Sequence, residues 1–287
     1  MKRLDRSELI FKIVAYSLAT LFAIAALYPF IYTISAAVSG RVAFERGAVI
    51  FLPVDFQLDA MIAVISEKGF WNAYTNTLFY TFFGTIFSMA LSIAAAYALS
   101  KERLVFRRQI NFIIVFTMWF SAGMIPTFLN YRTFGVDFRW GIVYGFGIQA
   151  FNVILLRNYF SGVSKEIEEA AIVDGANEFQ VLTNVYLPMS KSALATVTLF
   201  YALSRWNGYF WNLILVNNNI EHPLQVFLRR YLTDFITDEN ASISNLPYSP
   251  YSYMYAMIVM SIIPIIIVYP YLQKYFARGV NVGGVKE

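Results

Sequence analysis

Stretches free of Asp, Glu, Lys, Arg and His divide this chain into long apolar runs. Five are continuous: residues 13–40, 69–100, 109–131, 140–156 and a C-terminal run whose apolar part is 251–273. A sixth, 192–220, is interrupted only by Arg205. An α-helix rises 1.5 Å per residue, so about 20 apolar residues cross about 30 Å of hydrocarbon. The pattern therefore predicts an all-α integral membrane protein with six transmembrane helices. The first run is 28 residues long, beyond the roughly 7 to 15 of a secretory signal, and reads as a helix that is retained.

Basic residues give these spans a direction. With the N-terminus in the cytosol, the inside segments hold 14 Lys and Arg and the outside segments 7, while Arg205 lies within a span. The inside excess predicts that both termini are cytosolic. The chain then divides into a cytosolic N-terminus (1–12), a six-helix domain (13–273) with an inside loop at 157–191, and a cytosolic tail (274–287). A hydrophobic fraction of 58% against 14% charged residues makes the bilayer the solvent. The net charge of +4 is dispersed through loops and forms no stripe, which argues against nucleic acid. Zero cysteines and the single His222 exclude a disulfide framework, a thiolate site and a histidine cluster, so no metal site is expected.

The inside loop at 157–191 differs from its neighbours, with five acids against three bases. Glu166, Glu168 and Glu169 follow Ser164 in an order that suits an N-cap and a helix dipole. Ile167, Ala170 and Ala171 fall on one narrow apolar face. Gly175 predicts a turn, Asn177 with Gln180 a capping box, and Pro188 the end of the second helix. Such a helix–turn–helix could dock on a partner or lie on the bilayer surface, and periodicity leaves both open.

Spacing within the loop carries a resemblance. Glu169-Ala170-Ala171, three residues, Gly175, nine residues, Val185, one residue and Leu187-Pro188 resemble the EAA motif of binding-protein-dependent ABC importers, with Asp174 beside the glycine. Asn76-Thr77, residues 95–100, Ile125-Pro126-Thr127, residues 157–160 and Trp206-Asn207 stand in the order of the MalG-type sugar permeases. The tail at 271–276, with Gly279 and Gly283-Gly284-Val285-Lys286, is most similar to the branch importing polysaccharide fragments such as alginate and pectin oligomers. This resemblance implies a type I ABC importer permease fold in a bacterial cytoplasmic (inner) membrane. It implies a cytosolic coupling helix between spans 4 and 5 that inserts into an ATPase subunit. It also implies a heterodimer with a second permease, two ATPase subunits, an extracytoplasmic solute-binding protein and a saccharide substrate. No cofactor is expected on this chain, because ATP and magnesium would belong to the ATPase subunits.

What is absent agrees with that division of labour. No phosphate-cradling Gly-x-x-x-x-Gly-Lys-[Ser/Thr] stretch occurs, and neither does a Gly-x-Ser-x-Gly elbow or a His-Glu-x-x-His helix. The spans carry no pair of carboxylates, which counts against an ion- or proton-coupled secondary transporter. Arg205, about 21 Å along a helix from Lys191, should lie near the bilayer midplane. It precedes Trp206, Asn207, Tyr209, Phe210, Trp211 and Asn212. Aromatic faces stack on sugar rings, amides bond hydroxyls, and Arg can hold a uronate. Arg205 with Trp206, Asn207, Tyr209 and Trp211 can thus line a substrate pathway, or Arg205 can lock helices through carbonyls or a partner's acid. Phe79, Tyr80, Phe82 and Phe83 are expected to pack or to face lipid. Pro29, Pro126, Pro264 and Pro270 are candidate kinks, and residues 223–236 an amphipathic helix at the outer interface.

Overall fold

A computed structural model describes residues 6–237 and 246–279. Among these residues there is no strand, only an isolated antiparallel bridge between Ser39 and Phe56. The helices are α1 (Arg6–Ala37), α2 (Arg41–Glu45), α3 (Asp59–Ser66), α4 (Lys68–Ser100), α5 (Arg107–Trp119), α6 (Met124–Thr133), α7 (Arg139–Gly145) and α8 (Ala150–Ser161). They continue with α9 (Lys165–Val173), α10 (Glu178–Val181), a π-turn (Leu182–Tyr186), α11 (Leu187–Met189), α12 (Lys191–Trp206), α13 (Phe210–Leu215), α14 (Leu224–Thr237) and α15 (Pro250–Gly279). The tail glycines at 283–284 and the bases Lys2 and Arg3 lie outside the described residues.

The six apolar runs do not become six rods. Among the described residues three helices are long and apolar enough to span on their own, at Ser7–Ala37, Lys68–Ser100 and Pro250–Val268. The pair α7 and α8 passes the same test jointly, with a 47° bend at the break. The run at 109–131 divides between α5 and α6, and that at 192–220 between α12 and α13. Breaks at 120–123, 146–149 and 207–209 contain Gly123, Gly147 and Gly208, where local backbone needs override an apolar composition that is blind to them. Pro29, Pro264 and Pro270 lie inside unbroken helices, while Pro126 occupies the first turn of α6, where a missing N–H is no loss.

Two compact units emerge. One contains the chain up to Phe70 together with Leu228–Ile263. In it α1 is exposed from Ser7 through Phe30 apart from partly covered Lys12, and its end is held where Ser35 Oγ donates to Phe51 O at 2.8 Å and Tyr32 meets Tyr255 edge-on. A helix that is apolar all round and uncovered by its own chain needs lipid or another protein around it.

The second unit, Trp71–Phe227 with the chain from Pro264, contains the sites considered below. Its core is built from Ala96 of α4, Leu156 and Phe160 of α8, Val181 and Tyr186 of the following loop, and Val197 and Tyr201 of α12. A second cluster joins Tyr80 to Val136, Ile142, Val143, Leu215 and Val216. Asn76 donates to Ile220 O and His222 O, and Thr77 Oγ1 accepts from Leu224 N at 2.7 Å, which staples the 220–224 turn to α4. His222 is itself buried against Val216 O.

Candidate functional site

The 165–190 segment forms a short helix, a turn and a second helix. Gly175 takes φ of +85°, a left-handed turn that only glycine adopts at little cost. Its N–H donates to Ile172 O and the next N–H, from Ala176, to Ala171 O, so two of the orphan carbonyls of α9 are satisfied. Asn177 and Gln180 form the expected capping box, with both bonds present. Ser164 stands at the expected N-cap with acids in the first turn, but its hydroxyl donates to Glu166 Oε2 at 2.5 Å and accepts from no backbone N–H. One expectation is corrected. Pro188 does not end the second helix, which runs on to Met189. The wider π-turn at Leu182–Tyr186 includes Asn184, whose carbonyl the proline ring would meet in a regular helix.

Three consecutive residues after α4 pin this segment. Lys101 is buried, lies 2.6 Å from Glu168 Oε1, and sits over the rings of Tyr97 and Tyr186 at 4.3 and 4.1 Å. Tyr186 also donates to Glu168. Glu102 pairs with Lys165 at 2.8 Å, and Arg103 pairs with Glu178, which also accepts from Tyr97 at 2.7 Å. Burial pushes the Glu168 carboxyl up, but the bonds from Lys101 and Tyr186 outweigh it and hold the group below its ordinary range. The bonds from Tyr97 and Arg103 do the same for Glu178. In the sequence Lys101 and Arg103 register only as inside charge; the tyrosines around them carry no local signal.

Motif residues divide between two faces. Ala171, Val185 and Leu187 pack on the core, whereas Glu169, Ala170, Asp174, Gly175 and Pro188 are exposed. Of the apolar face of Ile167, Ala170 and Ala171, Ala171 turns toward the core while Ile167 and Ala170 stay exposed. Ile167, Ile172, Val173 and Phe179 are exposed, Val173 at 86% and Phe179 at 72%. An acidic, apolar surface therefore stands uncovered by this chain.

The second site surrounds the break between α7 and α8. A cavity of about 430 Å³ is lined by Tyr80, Tyr131, Phe146, Gln149, Ser204, Arg205 and the 207–212 stretch, among others. Tyr131, Phe146 and Trp211 form an aromatic cluster, with centroids 4.7 to 6.3 Å apart. Gln149 bonds Ser204 Oγ at 3.0 Å and Asn152 bonds Gln149. Of the residues singled out in the sequence, Arg205, Asn207, Tyr209 and Trp211 are on this wall; Trp206 is not, and meets Tyr74 edge-on instead. Tyr80, Tyr131, Phe146 and Gln149 lie far away along the chain, and no spacing in the sequence links them to Arg205.

Arg205 has a definite structural task. Its guanidinium donates to Ile142 O at 2.7 Å, Val143 O at 3.1 Å, Phe146 O at 2.6 Å and Ser88 Oγ at 3.2 Å. Those carbonyls belong to the last turn and C-cap of α7, while Glu221 Oε2 accepts from Arg139 N at its first turn. A seven-residue helix therefore has an acid at its positive end and a cation at its negative end, the favourable pairing with its dipole. Gly84 makes room: a Cβ there would lie 2.8 Å from Arg205 Nε. Every acceptor of Arg205 is neutral, so no carboxylate pairs with its charge beside the cavity.

Residues 93–282 match the family of binding-protein-dependent transport system inner membrane components. The chain belongs to this family. It is a transport component of an ABC importer in the inner membrane and not an enzyme. The polygalacturonan/rhamnogalacturonan transport system permease protein YtcP of Bacillus subtilis is 35% identical over 96% of this chain and 98% of its own length. A solved chain from a bacterial ABC transporter involved in the import of the acidic polysaccharide alginate is 49% identical, covers 96% of this permease and 100% of itself, and superimposes with a TM-score of 0.90. A chain of a bacterial alginate ABC transporter in complex with a pentasaccharide-bound periplasmic protein, 14% identical with a TM-score of 0.64, shares the fold.

Proposed function

We propose that this permease forms half of the pathway of an importer for an acidic oligo- or polysaccharide, of the alginate or pectin kind. The observation that carries the reading is the cavity at the α7–α8 break. Aromatic faces with amide and hydroxyl groups suit sugar rings, and an Arg205 charge paired with no carboxylate favours a uronate over a neutral sugar. No carboxylate lines that cavity, which weighs against proton-coupled transport. The solved relative at 49% identity belongs to a transporter of an acidic polysaccharide, which supports the same substrate class. Asn207, Tyr209 and Trp211 would contact the saccharide. Arg205 acts through position and charge.

In this reading six spans, three of them broken, cross the membrane with both termini and the 157–191 loop in the cytosol, as the basic residues direct. The exposed surface of Glu169, Ala170, Asp174 and Gly175, with Ile172, Val173 and Phe179, docks into an ATPase subunit that holds ATP and magnesium. A second permease, two ATPase subunits and an extracytoplasmic solute-binding protein complete the importer. Closure of the ATPases pulls the 165–190 segment, and the pins at residues 101–103 pass that motion to α4 and so alternate access to the cavity.

The test is uptake by the reconstituted importer of labelled alginate, pectin and maltodextrin oligomers. Acidic oligomers should be preferred, and Trp211→Ala with Asn207→Ala should lower their uptake about tenfold, the loss of one stacking and one hydrogen-bonding contact. Equal transport of neutral glucans, or parental uptake by the double variant, would sink the proposal.

A further inference from the structure

Where α5 begins and α8 ends, Arg107, Arg108, Asn111, Arg157, Asn158 and Ser161 line a cleft of about 510 Å³. Three of the six are arginines and none is a carboxylate. Arg157 Nη1 donates to Asn111 Oδ1 at 2.5 Å, its Nε and Nη2 donate to Asn158 Oδ1, and Arg107 Nε donates to Leu99 O at 2.9 Å. Neutral acceptors thus orient two of the guanidiniums, and no acid in the cleft cancels their charge. Glu102, the carboxylate that senses Arg107 from outside, is already paired with Lys165.

A second observation lies on the same helix. Arg108, Phe112 and Phe116 recur every four residues on α5 and Phe120 is its C-cap, so the four follow one slanting line along the helix. The three rings stack in sequence, with centroids 6.2 and 5.6 Å apart and planes within 25° and 11° of parallel. All three are exposed, at 69%, 50% and 62%. From Arg108 to Phe120 this line runs about 18 Å along the helix axis, close to the depth of one leaflet's hydrocarbon. An anion-attracting head with an apolar track leading away from it is the outline of a lipid. Free phosphate would satisfy the cleft and leave the track bare; a protein surface would cover the track and need an acid for the arginines.

We propose that the α5–α8 cleft holds the phosphate headgroup of an anionic phospholipid whose acyl chain lies along Phe112, Phe116 and Phe120. The site rests on the reading of α5 as part of a span. Basic pockets between spanning helices hold such headgroups through charge-assisted bonds, and arginine suits phosphate through its planar fork. The bound lipid would brace the end of α8, four residues before the start of α9.

Native mass spectrometry of the full chain purified in detergent reads the site directly, with phosphatidylglycerol, phosphatidylcholine and inorganic phosphate as probes. The expected result is retention of phosphatidylglycerol at least tenfold above phosphatidylcholine, undisplaced by excess phosphate. R108Q should reduce retention about tenfold, the loss of one charge-assisted bond, and F112S/F116S should reduce it as well. Arg108 is exposed, so R108Q keeps the fold and decides the matter even if R157Q does not fold. Equal retention of the two lipids overturns the proposal. Displacement by phosphate with no effect of F112S/F116S also overturns it, in favour of a free-anion site. Loss of lipid on assembly with co-purifying subunits, with the α5 ladder then protected from a lipid-borne crosslinker, overturns it in favour of a protein interface. The readout is lipid retention and not uptake, so failure here leaves the transport reading standing, and failure of transport leaves the lipid result standing.

Discussion

Removing the Arg205 side chain should destabilise this permease before it alters any substrate contact. Arg205→Ala orphans the carbonyls of Ile142, Val143 and Phe146 and the hydroxyl of Ser88. A buried acceptor left unsatisfied costs about 1 to 3 kcal/mol, but these acceptors border a cavity that admits water, and interhelical bonds within membranes average about 0.6 kcal/mol each. The lower end governs, and the total should be about 2 to 4 kcal/mol. For a domain of this size that corresponds to a melting temperature lower by roughly 5 to 12 °C. Gly84 provides an independent check. A Cβ on residue 84 would sit 2.8 Å from Arg205 Nε and 3.1 Å from Cδ and Cζ, and the guanidinium cannot step aside without giving up its bonds to the end of α7. Gly84→Ala should therefore cost about 1 to 3 kcal/mol in the parent and almost nothing in Arg205→Ala, a coupling that a double-mutant cycle isolates. The assay is thermal or denaturant unfolding of the four proteins in one detergent. Additive losses would refute the clasp, as would an Arg205→Ala protein that melts with the parent. Arg205→Lys should recover less than half of the loss, since one ammonium cannot reach three carbonyls and a hydroxyl together.

The remaining predictions concern the 165–190 segment. Gly175→Val meets a backbone penalty of about 1 to 2 kcal/mol from its positive φ, yet its Cβ would find nothing within 4 Å in this chain. Loss of uptake and of ATPase co-purification beyond that strain reports a docked partner; parental coupling in Gly175→Val and Glu169→Lys would exclude docking here. Lys101→Met removes the cation from a mostly buried pair and should cost about 2 to 3 kcal/mol, less than a fully buried pair because Tyr186 still bonds Glu168. Hydrogen exchange of the 165–190 amides should then quicken roughly 30- to 150-fold, and unchanged protection would show that the pin carries no load. Because Glu168 and Glu178 titrate below their ordinary range in the folded chain, their stabilisation is complete above that range. It is lost as pH falls through the depressed values, so protection should hold through neutral pH and fail only in acid. Failure near neutrality would contradict the assigned pairs.

Much of this permease is written locally. Apolar runs, the alternation of basic loops between them, the glycine turn at 175 and the Asn177–Gln180 box depend on residues within a few positions of one another, and local chemistry specifies them without reference to the rest of the fold. The same holds for the spacing from Glu169 to Pro188 that carries the family. Where a span breaks is a different matter. Residues 109–131 and 192–220 are apolar on both sides of their breaks, and what makes a break tolerable lies elsewhere in the chain. For α7 it is Arg205 and Glu221, more than fifty residues downstream, which satisfy the ends that a broken helix exposes. Trp206 and Trp211 are equally aromatic in sequence, yet the end of α12 turns one toward Tyr74 and the other into the cavity. Lys101 reads as one more loop charge until tertiary packing brings Glu168, Tyr97 and Tyr186 around it. Short-range periodicity and propensity thus determined the apolar runs, the glycine turn and capping box, and the motif that carries the family. Only the tertiary structure decided which charges are paired, which helices are broken and which side chains meet, because those are set by satisfaction of buried polar groups across distant segments.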